Sequence, residues 1–357
     1  MSFAVAQSHV AVLEKAGLVT KEPHGRERLV RGDPATIGKA RGLLDRYEQI
    51  WRRRGDGAPT STRARWHDHV VHLTHRLAQE PELLQRWLLG CRVRVGVMTT
   101  LSERASTLMD LHTTPEILTL TNVWDVVSAT VVAGTPGVTA LATASHSIAA
   151  TFGYPDGEKI PLDLHLDMVG RICAAVDLPV SMDLEGGYMN PGETVRRAIA
   201  VGVVGGNLED QMKPLDEAVA AVEAVLAAGR DAGIDFVLNA RTDTVLRAAP
   251  GADRPELLAE ATLRCQAFLD AGAPVVFVPG LLARDEIAQL VEALGRGRLS
   301  VISVPGKALS ASELQALGVA RVSTGPHAQR VALTALQDAA AAMVGGGTLP
   351  ESTRPLN

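Results

Sequence analysis

The chain has 357 residues, of which 46% are hydrophobic and 21% are charged. This composition is typical of a folded globular protein and excludes a disordered, collagen-like or disulfide-stapled chain. Apolar runs end at Gly, Pro or a charge before about 18 residues, and the start of the chain lacks the features of a signal peptide, so we predict no membrane association and no export. Three scattered cysteines fit no disulfide framework, and we expect a cytoplasmic location.

The net charge of -5 hides a division along the chain. Residues 1–97 carry a balance of +7, whereas residues 98–357 carry -12. Such asymmetry indicates two parts with different partners. The basic part is a candidate for nucleic-acid binding, and the acidic part is not.

The first part has mixed patterning. We predict helices over 2–17, 34–54 and 63–89, and two short strands within 18–31 around a hairpin tip at Pro23-His24-Gly25-Arg26. Residues 55–62 are small and polar and predict a linker. The domain boundaries follow as 1–54, a linker and helix over 55–97, and a second part over 98–357.

The second part alternates helices with short apolar strands. Eight strands are predicted, each followed by a helix, at 117–122, 138–143, 179–184, 203–208, 236–240, 274–278, 299–304 and 320–323. The helices are predicted at 102–111, 126–133, 162–176, 193–201, 215–232, 255–271, 284–294, 311–317 and 328–343. Eight such units favour a (β/α)8 TIM-type barrel. The alternative, an open doubly wound sheet, is disfavoured because Asn122-Val123-Trp124-Asp125 replaces a glycine-rich loop after the first strand.

Charged residues follow three consecutive strands of this barrel. Asp183 and Glu185 follow the third strand, Glu209 the fourth and Arg241 the fifth. Asp183 and Glu185 are two positions apart, so in an extended strand they would point to the same side. Oxygen ligands at a barrel mouth suit Mg²⁺, with Mn²⁺ as a second possibility. Arg241 is a candidate clamp for a substrate carboxylate.

Residues 107–345 resemble the isocitrate lyase/phosphoenolpyruvate mutase superfamily. The resemblance is carried by Asn122-Val123-Trp124-Asp125, Thr143-Ala144-Ser145, Gly153-Tyr154-Pro155-Asp156-Gly157, Asp183-Leu184-Glu185-Gly186-Gly187-Tyr188, Asn207-Leu208-Glu209-Asp210-Gln211, Asn239-Ala240-Arg241-Thr242-Asp243 and Gly318-Val319-Ala320-Arg321-Val322-Ser323. It implies a homo-oligomeric barrel that exchanges its last helix between subunits. It also implies a Mg²⁺ enzyme that makes or breaks a C–C or P–C bond beside the carbonyl of a small 2-oxo acid.

The resemblance also assigns roles to individual positions. Asp183, Glu185 and Glu209 match the acids of the metal site, and Arg241 matches the carboxylate clamp. Asp156 matches an acid that meets the reacting group. Ala144 and Ser145 match positions whose backbone amides bind the keto acid.

Two departures from the family pattern bear on the reaction. Lyases of the family carry a loop with a catalytic Cys and a His after the fourth strand, but here residues 210–214 lead directly into a helix. A Cys-loop isocitrate lyase is therefore not expected, and a lyase, decarboxylase or phosphonate hydrolase is. His146, beside the keto-acid loop, is either a substitute acid or an exposed loop histidine.

Residues 2–54 resemble the latter half of a winged helix-turn-helix repressor of the arsenical-resistance type. The resemblance is carried by residues 5–13, by Ala16-Gly17-Leu18-Val19, by Gly25-Arg26-Glu27-Arg28 in the wing, and by Tyr47 and Trp51. It implies a recognition helix for duplex DNA. The family's preceding helices are absent, so we interpret this part as an incomplete winged-helix-like segment. We favour an enzyme over the alternative, a DNA-binding regulator with a metabolite-sensing barrel.

Overall fold

The structure is a computed structural model that describes residues 19–24, 27–32 and 100–354. The chain divides into two compact units, 1–98 and 99–357. In the first unit, strands β1 (Val19–His24) and β2 (Glu27–Gly32) pair in antiparallel fashion, with His24 opposite Glu27. This pairing agrees with the predicted hairpin. The predicted helices over 2–17, 34–54 and 63–89 and the linker over 55–62 lie outside the described residues, so the winged-helix and DNA-binding hypotheses stay predictions.

The second unit is a nearly closed parallel barrel. In the part of the chain that the structure describes, its strands are β3 (Leu118–Leu120), β4 (Asn122–Val123), β5 (Leu141–Thr143), β6 (Val180–Asp183), β7 (Gly205–Glu209), β8 (Val237–Arg241), β9 (Val275–Phe277), β10 (Leu299–Ile302) and β11 (Arg321–Ser323). Their order is β3-β11-β10-β9-β8-β7-β6-β5-β4, and every neighbouring pair is parallel. The predicted TIM-type barrel is confirmed.

The seam of the barrel lies in the first predicted strand, which divides into β3 and β4 around Thr121. β3 pairs with β11, whereas β4 pairs with β5. The buried side chain of Asn122 joins the two sides, since its Oδ1 accepts from the backbone N–H groups of Thr324 (3.0 Å) and Gly325 (2.7 Å). Its Nδ2 donates to the carbonyl oxygen of Thr143 (2.7 Å). A buried amide that is hydrogen-bonded through both its oxygen and its nitrogen thus holds the seam together.

The helices of this unit lie close to the predicted positions. They are α1 (Leu101–Thr113), α2 (Val126–Ala133), α3 (Ser145–Thr151), α4 (Leu162–Ala175), α5 (Pro191–Ala200), α6 (Leu215–Asp231), α7 (Arg254–Asp270), α8 (Arg284–Leu294), α9 (Ala311–Leu317) and α10 (His327–Val344). Local signals set several ends: Thr100 and Glu103 form a capping box on α1, and Ser310 and Glu313 form one on α9. The short helix α3 was not predicted, because seven residues carry little periodic signal.

The two ends of the barrel differ in character. At the amino end of the strands, Leu108 of α1 packs so closely against Gly205 that a Cβ there would lie 2.7 Å from the leucine side chain. Helix α1 therefore covers the bottom of the barrel. The carboxyl ends of the strands form the opposite mouth, where barrel enzymes place their chemistry.

A polar layer crosses the barrel interior. Arg321 of β11 is fully buried, and it donates to Ser181 Oγ of β6 and to Asn207 Oδ1 of β7, both at 3.3 Å. Asn239 donates to the same Asn207 oxygen and accepts from Ser300 Oγ, both at 2.8 Å. Burial lowers the pKa of Arg321 to about 10, which leaves it charged at neutral pH. The sequence did not predict this buried cation.

No helix among the described residues is long and apolar enough to cross a membrane.

Candidate active site

Three neighbouring strands carry the predicted charged residues to the mouth. Asp183 ends β6, Glu209 ends β7 and Arg241 ends β8. The parallel register places Glu209 directly opposite Arg241. The sequence-based placement of these residues on adjacent strand ends therefore matches the geometry.

Asp183 is held by the start of α3. Its Oδ2 accepts hydrogen bonds from the backbone N–H (3.1 Å) and the hydroxyl (2.8 Å) of Ser145. Its Oδ1 is buried and has no hydrogen-bond partner among the described residues. A buried carboxylate oxygen without a donor is costly unless another group neutralises it. Asp183 is thus a fitting ligand for a cation.

Glu185 is positioned by a loop and not by strand alternation. Strand β6 ends at Asp183, and Glu185 has a left-handed backbone with φ of 52°. The expectation that the two residues point alike within one extended strand is therefore wrong. The Glu185 carboxylate accepts from the backbone N–H of Glu158 and from the hydroxyl of Tyr188 (3.1 Å). Burial, helped by the charge of Asp183, raises its pKa from 4.5 to about 7.

Tyr188 links Glu185 to a buried histidine. Its hydroxyl lies 3.0 Å from Nδ1 of His165 on α4, and its backbone N–H donates to Glu158 Oε1 (2.7 Å). Burial lowers the pKa of His165 to about 4, so the ring is neutral near pH 7. The chain of contacts ties the loop after β6 to α4 and to the loop that contains Glu158.

Arg241 forms ion pairs with two carboxylates. Its Nη1 lies 2.6 Å from Glu209 Oε1, and its Nε lies 2.7 Å from Asp243 Oδ1. The ring of Phe277 lies beside the guanidinium, 6.0 Å from its carbon to the ring centroid. Burial and the nearby carboxylates raise the pKa of Glu209, while Arg241 opposes this change. Arg241 is therefore a well-oriented cation that already holds one of the predicted metal-site acids.

Asp210 is a structural carboxylate that the sequence reasoning missed. Its Oδ1 accepts from the backbone N–H groups of Met212 and Asp243, both at 3.0 Å. Its Oδ2 lies 3.2 Å from Nη1 of Arg264 on α7, and both side chains are buried. Asp210 therefore fixes the backbone of Asp243, which in turn orients Arg241. The sequence could not distinguish Asp210 from its neighbour Glu209, because the partners of two adjacent acids are known only from the structure.

The loop after α3 returns towards the mouth. Asp156 Oδ1 lies 3.4 Å from the Ser145 hydroxyl, and Asp156 Oδ2 lies 3.5 Å from Nδ1 of His146. The backbone N–H of Ala144 donates to the Val123 carbonyl oxygen (3.3 Å), and that of Ser145 donates to Asp183. Both amides assigned to keto-acid binding thus have protein partners. Their role, and that of Asp156, stays a prediction.

Backbone strain concentrates around these residues. Within the described residues, the amino acids other than glycine with left-handed φ are Glu158, Glu185, Tyr188, Met189, Gln211 and Met212. All of them lie in loops beyond the carboxyl ends of β5, β6 and β7. Such conformations persist only where surrounding contacts impose them, and they cluster at functional sites. A Cβ at Gly186 would overlap the end of the Gln211 side chain, which would then have to move.

The carboxylates suit Mg²⁺ only in a mode that includes water. In the described ranges, no three His, Cys, Asp or Glu side chains are close enough to hold an ion together. The Glu185 carboxylate accepts a hydrogen bond from Tyr188, and the Glu209 carboxylate pairs with Arg241. Of these three acids, Asp183 is the one with a buried oxygen that has no donor among the described residues. Mg²⁺ commonly keeps several waters and takes one or two protein carboxylates, so this donor set fits it.

Within the part of the chain that the structure describes, the cysteine chemistry of the Cys-loop lyases has no counterpart at this mouth. Only residues 210–214 separate β7 from α6. Of the described cysteines, Cys173 lies in α4 and Cys265 in α7, and both are buried. Burial raises the pKa of both thiols, that of Cys173 to about 12. Neither can serve as an acid at the mouth.

A parallel α/β barrel with buried acids and an arginine at its carboxyl-terminal mouth defines the class of barrel enzymes. The family model for phosphoenolpyruvate phosphomutase matches residues 108–344. The chain belongs to this family, within the phosphoenolpyruvate mutase/isocitrate lyase superfamily of enzymes that act at C–C or P–C bonds.

Three similar proteins illustrate this relationship. An uncharacterized protein of Mycobacterium tuberculosis is 34% identical over 247 residues, covering 68% of this chain and 91% of that protein. An oxaloacetate decarboxylase of Rhodopseudomonas palustris is 30% identical over 205 residues, covering 54% and 70%. A solved structure from Burkholderia cenocepacia, provisionally assigned as a phosphonomutase, is 38% identical with a TM-score of 0.63, covering 70% of this chain and all of that one.

Proposed function

We propose that this protein is a Mg²⁺-dependent lyase that cleaves a C–C bond at the carbon next to the carbonyl of a small 2-oxo acid, with oxaloacetate as the leading substrate. The observation that carries the proposal is the half-buried Asp183 carboxylate, which has one buried oxygen without a donor and neighbours Glu185, Glu209 and Arg241 at the mouth. The similarity to an oxaloacetate decarboxylase supports the choice of substrate.

The chemistry of the reaction suits these residues. Loss of carbon dioxide from oxaloacetate leaves its bonding electrons on the enolate of pyruvate. Mg²⁺ bound beside Asp183 would supply positive charge to stabilise the developing oxyanion. Asp183 would hold the cation directly, and Glu185 and Glu209 would hold it through waters. Arg241 would add a fixed positive charge for the substrate carboxylate.

The five-residue loop after β7 argues against cleavage of isocitrate or methylisocitrate by the Cys-loop route. Phosphonopyruvate hydrolysis would form the same pyruvate enolate, whereas cleavage of dimethylmalate would release pyruvate as the ketone and form the enolate of propionate. Both would use the same cation, and they are the competing reactions.

The experiment measures pyruvate release with Mg²⁺ from oxaloacetate, dimethylmalate, methylisocitrate and phosphonopyruvate. Mg²⁺ alone accelerates oxaloacetate decarboxylation, so Asp183→Ala protein at equal concentration is the matched control. We expect oxaloacetate turnover that EDTA abolishes and fresh Mg²⁺ restores. Equal rates for wild type and Asp183→Ala would refute the proposal.

We also propose that the protein assembles as a homo-oligomer through α10. Apolar side chains on this helix are exposed in the single chain: Val331, Leu333, Leu336, Met343 and Val344. Exposed apolar surface of this kind marks interaction sites, and the family resemblance implies a second copy of the chain as the partner. Light scattering of wild type and Leu336→Glu tests this proposal: we expect an oligomer for the wild type and dissociation of the variant, and a monomeric wild type would refute it.

A further inference from the structure

His146 and Asp156 form a pair at the barrel mouth that the proposed metal site does not use. His146 is the second residue of α3, and Asp156 lies in the loop that leaves this helix. The distance from His146 Nδ1 to Asp156 Oδ2 is 3.5 Å, and the side chains are 42% and 51% exposed. The pair is therefore accessible to a ligand in the mouth, and the negative charge of the carboxylate beside Nδ1 can orient the imidazole.

One side chain connects this pair to Asp183. The hydroxyl of Ser145 donates to Asp183 Oδ2 at 2.8 Å and also lies 3.4 Å from Asp156 Oδ1. Because the Asp156 carboxylate lies beside both the Ser145 hydroxyl and His146 Nδ1, it links the imidazole to the residue that holds Asp183. A catalytic role for His146 requires that a substrate held beside Asp183 reach the second ring nitrogen of His146.

Conversion of the enolate to pyruvate requires a proton donor at this place. The described cysteines are buried in helices. The Tyr188 hydroxyl donates to Glu185 and contacts His165, so neither ring is available to a substrate. Lys159, on the loop after α3, is exposed, but an ammonium group holds its proton far more strongly than an imidazolium near neutral pH. Among these groups, His146 is the exposed imidazole beside Asp156, and imidazole is the side chain most often used as a general acid.

We propose that His146, oriented by Asp156, is the catalytic acid that protonates the enolate carbon. The inference rests on the proposed lyase function and deepens it. The bond between C3 of oxaloacetate and its carboxylate breaks, carbon dioxide leaves, and the electron pair passes into the enolate. The enolate then takes the proton from Nε2 of the imidazolium, which forms the new C3–H bond of pyruvate. Water returns a proton to the neutral imidazole.

The test uses the reverse of this last step. Wild-type protein with Mg²⁺ should exchange the methyl protons of pyruvate for deuterium in D₂O, followed by NMR. His146→Gln should reduce this exchange by about a hundredfold, since a positioned acid or base contributes of that order. Asp156→Asn should cause a smaller loss in exchange rate. Lys159→Gln, on the same loop, is the matched control and should exchange like the wild type.

Binding of oxalate, a planar mimic of the enolate, separates the two proposals. Calorimetry with Mg²⁺ should give the same oxalate affinity, within about twofold, for wild type and His146→Gln, because the acid acts on a proton that oxalate lacks. If wild type binds oxalate and exchanges pyruvate, and His146→Gln exchanges at the wild-type rate, the acid assignment alone is overturned. Loss of exchange in Lys159→Gln with retention in His146→Gln would overturn it in favour of the lysine. If wild type does neither, the lyase proposal fails and this inference fails with it.

Discussion

Replacing Asp210 should destabilise the barrel far more than replacing any exposed acid. Asp210→Ala leaves the buried Arg264 without its buried partner and removes the acceptor for the backbone N–H groups of Met212 and Asp243. Breaking a buried ion pair from one side costs about 3–5 kcal/mol. For a domain of this size each kcal/mol lowers the melting temperature by about 2–4 °C, so we expect a decrease of roughly 10 °C.

Guanidinium unfolding followed by circular dichroism measures this cost from the midpoint at unchanged slope. Asp167→Ala is the matched control, because its pair with Arg171 (2.8 Å) is solvent-exposed and should contribute less than about 1 kcal/mol. The double variant Asp210→Ala/Arg264→Ala should lose less stability than the two single variants together. A cost for Asp210→Ala below about 1 kcal/mol would refute the view that this acid is a structural support.

Three further outcomes are expected. Asp183→Ala should abolish Mg²⁺-dependent pyruvate release while leaving the fold intact, because it removes the carboxylate whose Oδ1 has no donor within the described part of the protein; activity of this variant in EDTA would contradict the metal assignment. Arg241→Lys should raise KM about tenfold or more, because an ammonium group cannot bond both Glu209 and Asp243 and still present a planar face, and an unchanged KM would exclude the clamp. His112→Gln should make the free energy of unfolding fall less steeply as the pH is lowered. Burial lowers the pKa of His112 to about 4, so the unfolded chain takes up this proton first as pH falls below about 6.5, and wild type should lose up to about 3 kcal/mol by pH 4; parallel stability curves for the two proteins would count against this.

Local sequence patterns were sufficient to predict the barrel and the order of its elements, apart from the short helix α3. Short apolar strands and amphipathic helices alternate in the sequence, and helices such as α8 and α9 match their predicted bounds. Parallel strands bring their carboxyl ends together, so Asp183, Glu209 and Arg241 could be placed at one mouth before any contact was known. The motif resemblance assigned their family, which the family model confirms.

The roles of individual carboxylates depended on the tertiary structure. The sequence places Glu209 and Asp210 side by side, yet one contacts Arg241 at the mouth and the other contacts Arg264 on a distant helix. Glu185 follows a left-handed loop and not the alternation of a strand, because contacts with Glu158 and Tyr188 impose that backbone.

By itself, the sequence therefore determined which segments form strands and helices and which residue types reach the barrel mouth, because these properties depend on periodicity and on neighbours along the chain. The tertiary structure alone decided which polar groups find partners. Asn122 joins the seam to Thr324 across 202 positions, and Arg321 donates to Ser181 across 140. Such contacts are set by how the whole barrel closes, and no local pattern encodes the distance between two atoms that far apart in the chain.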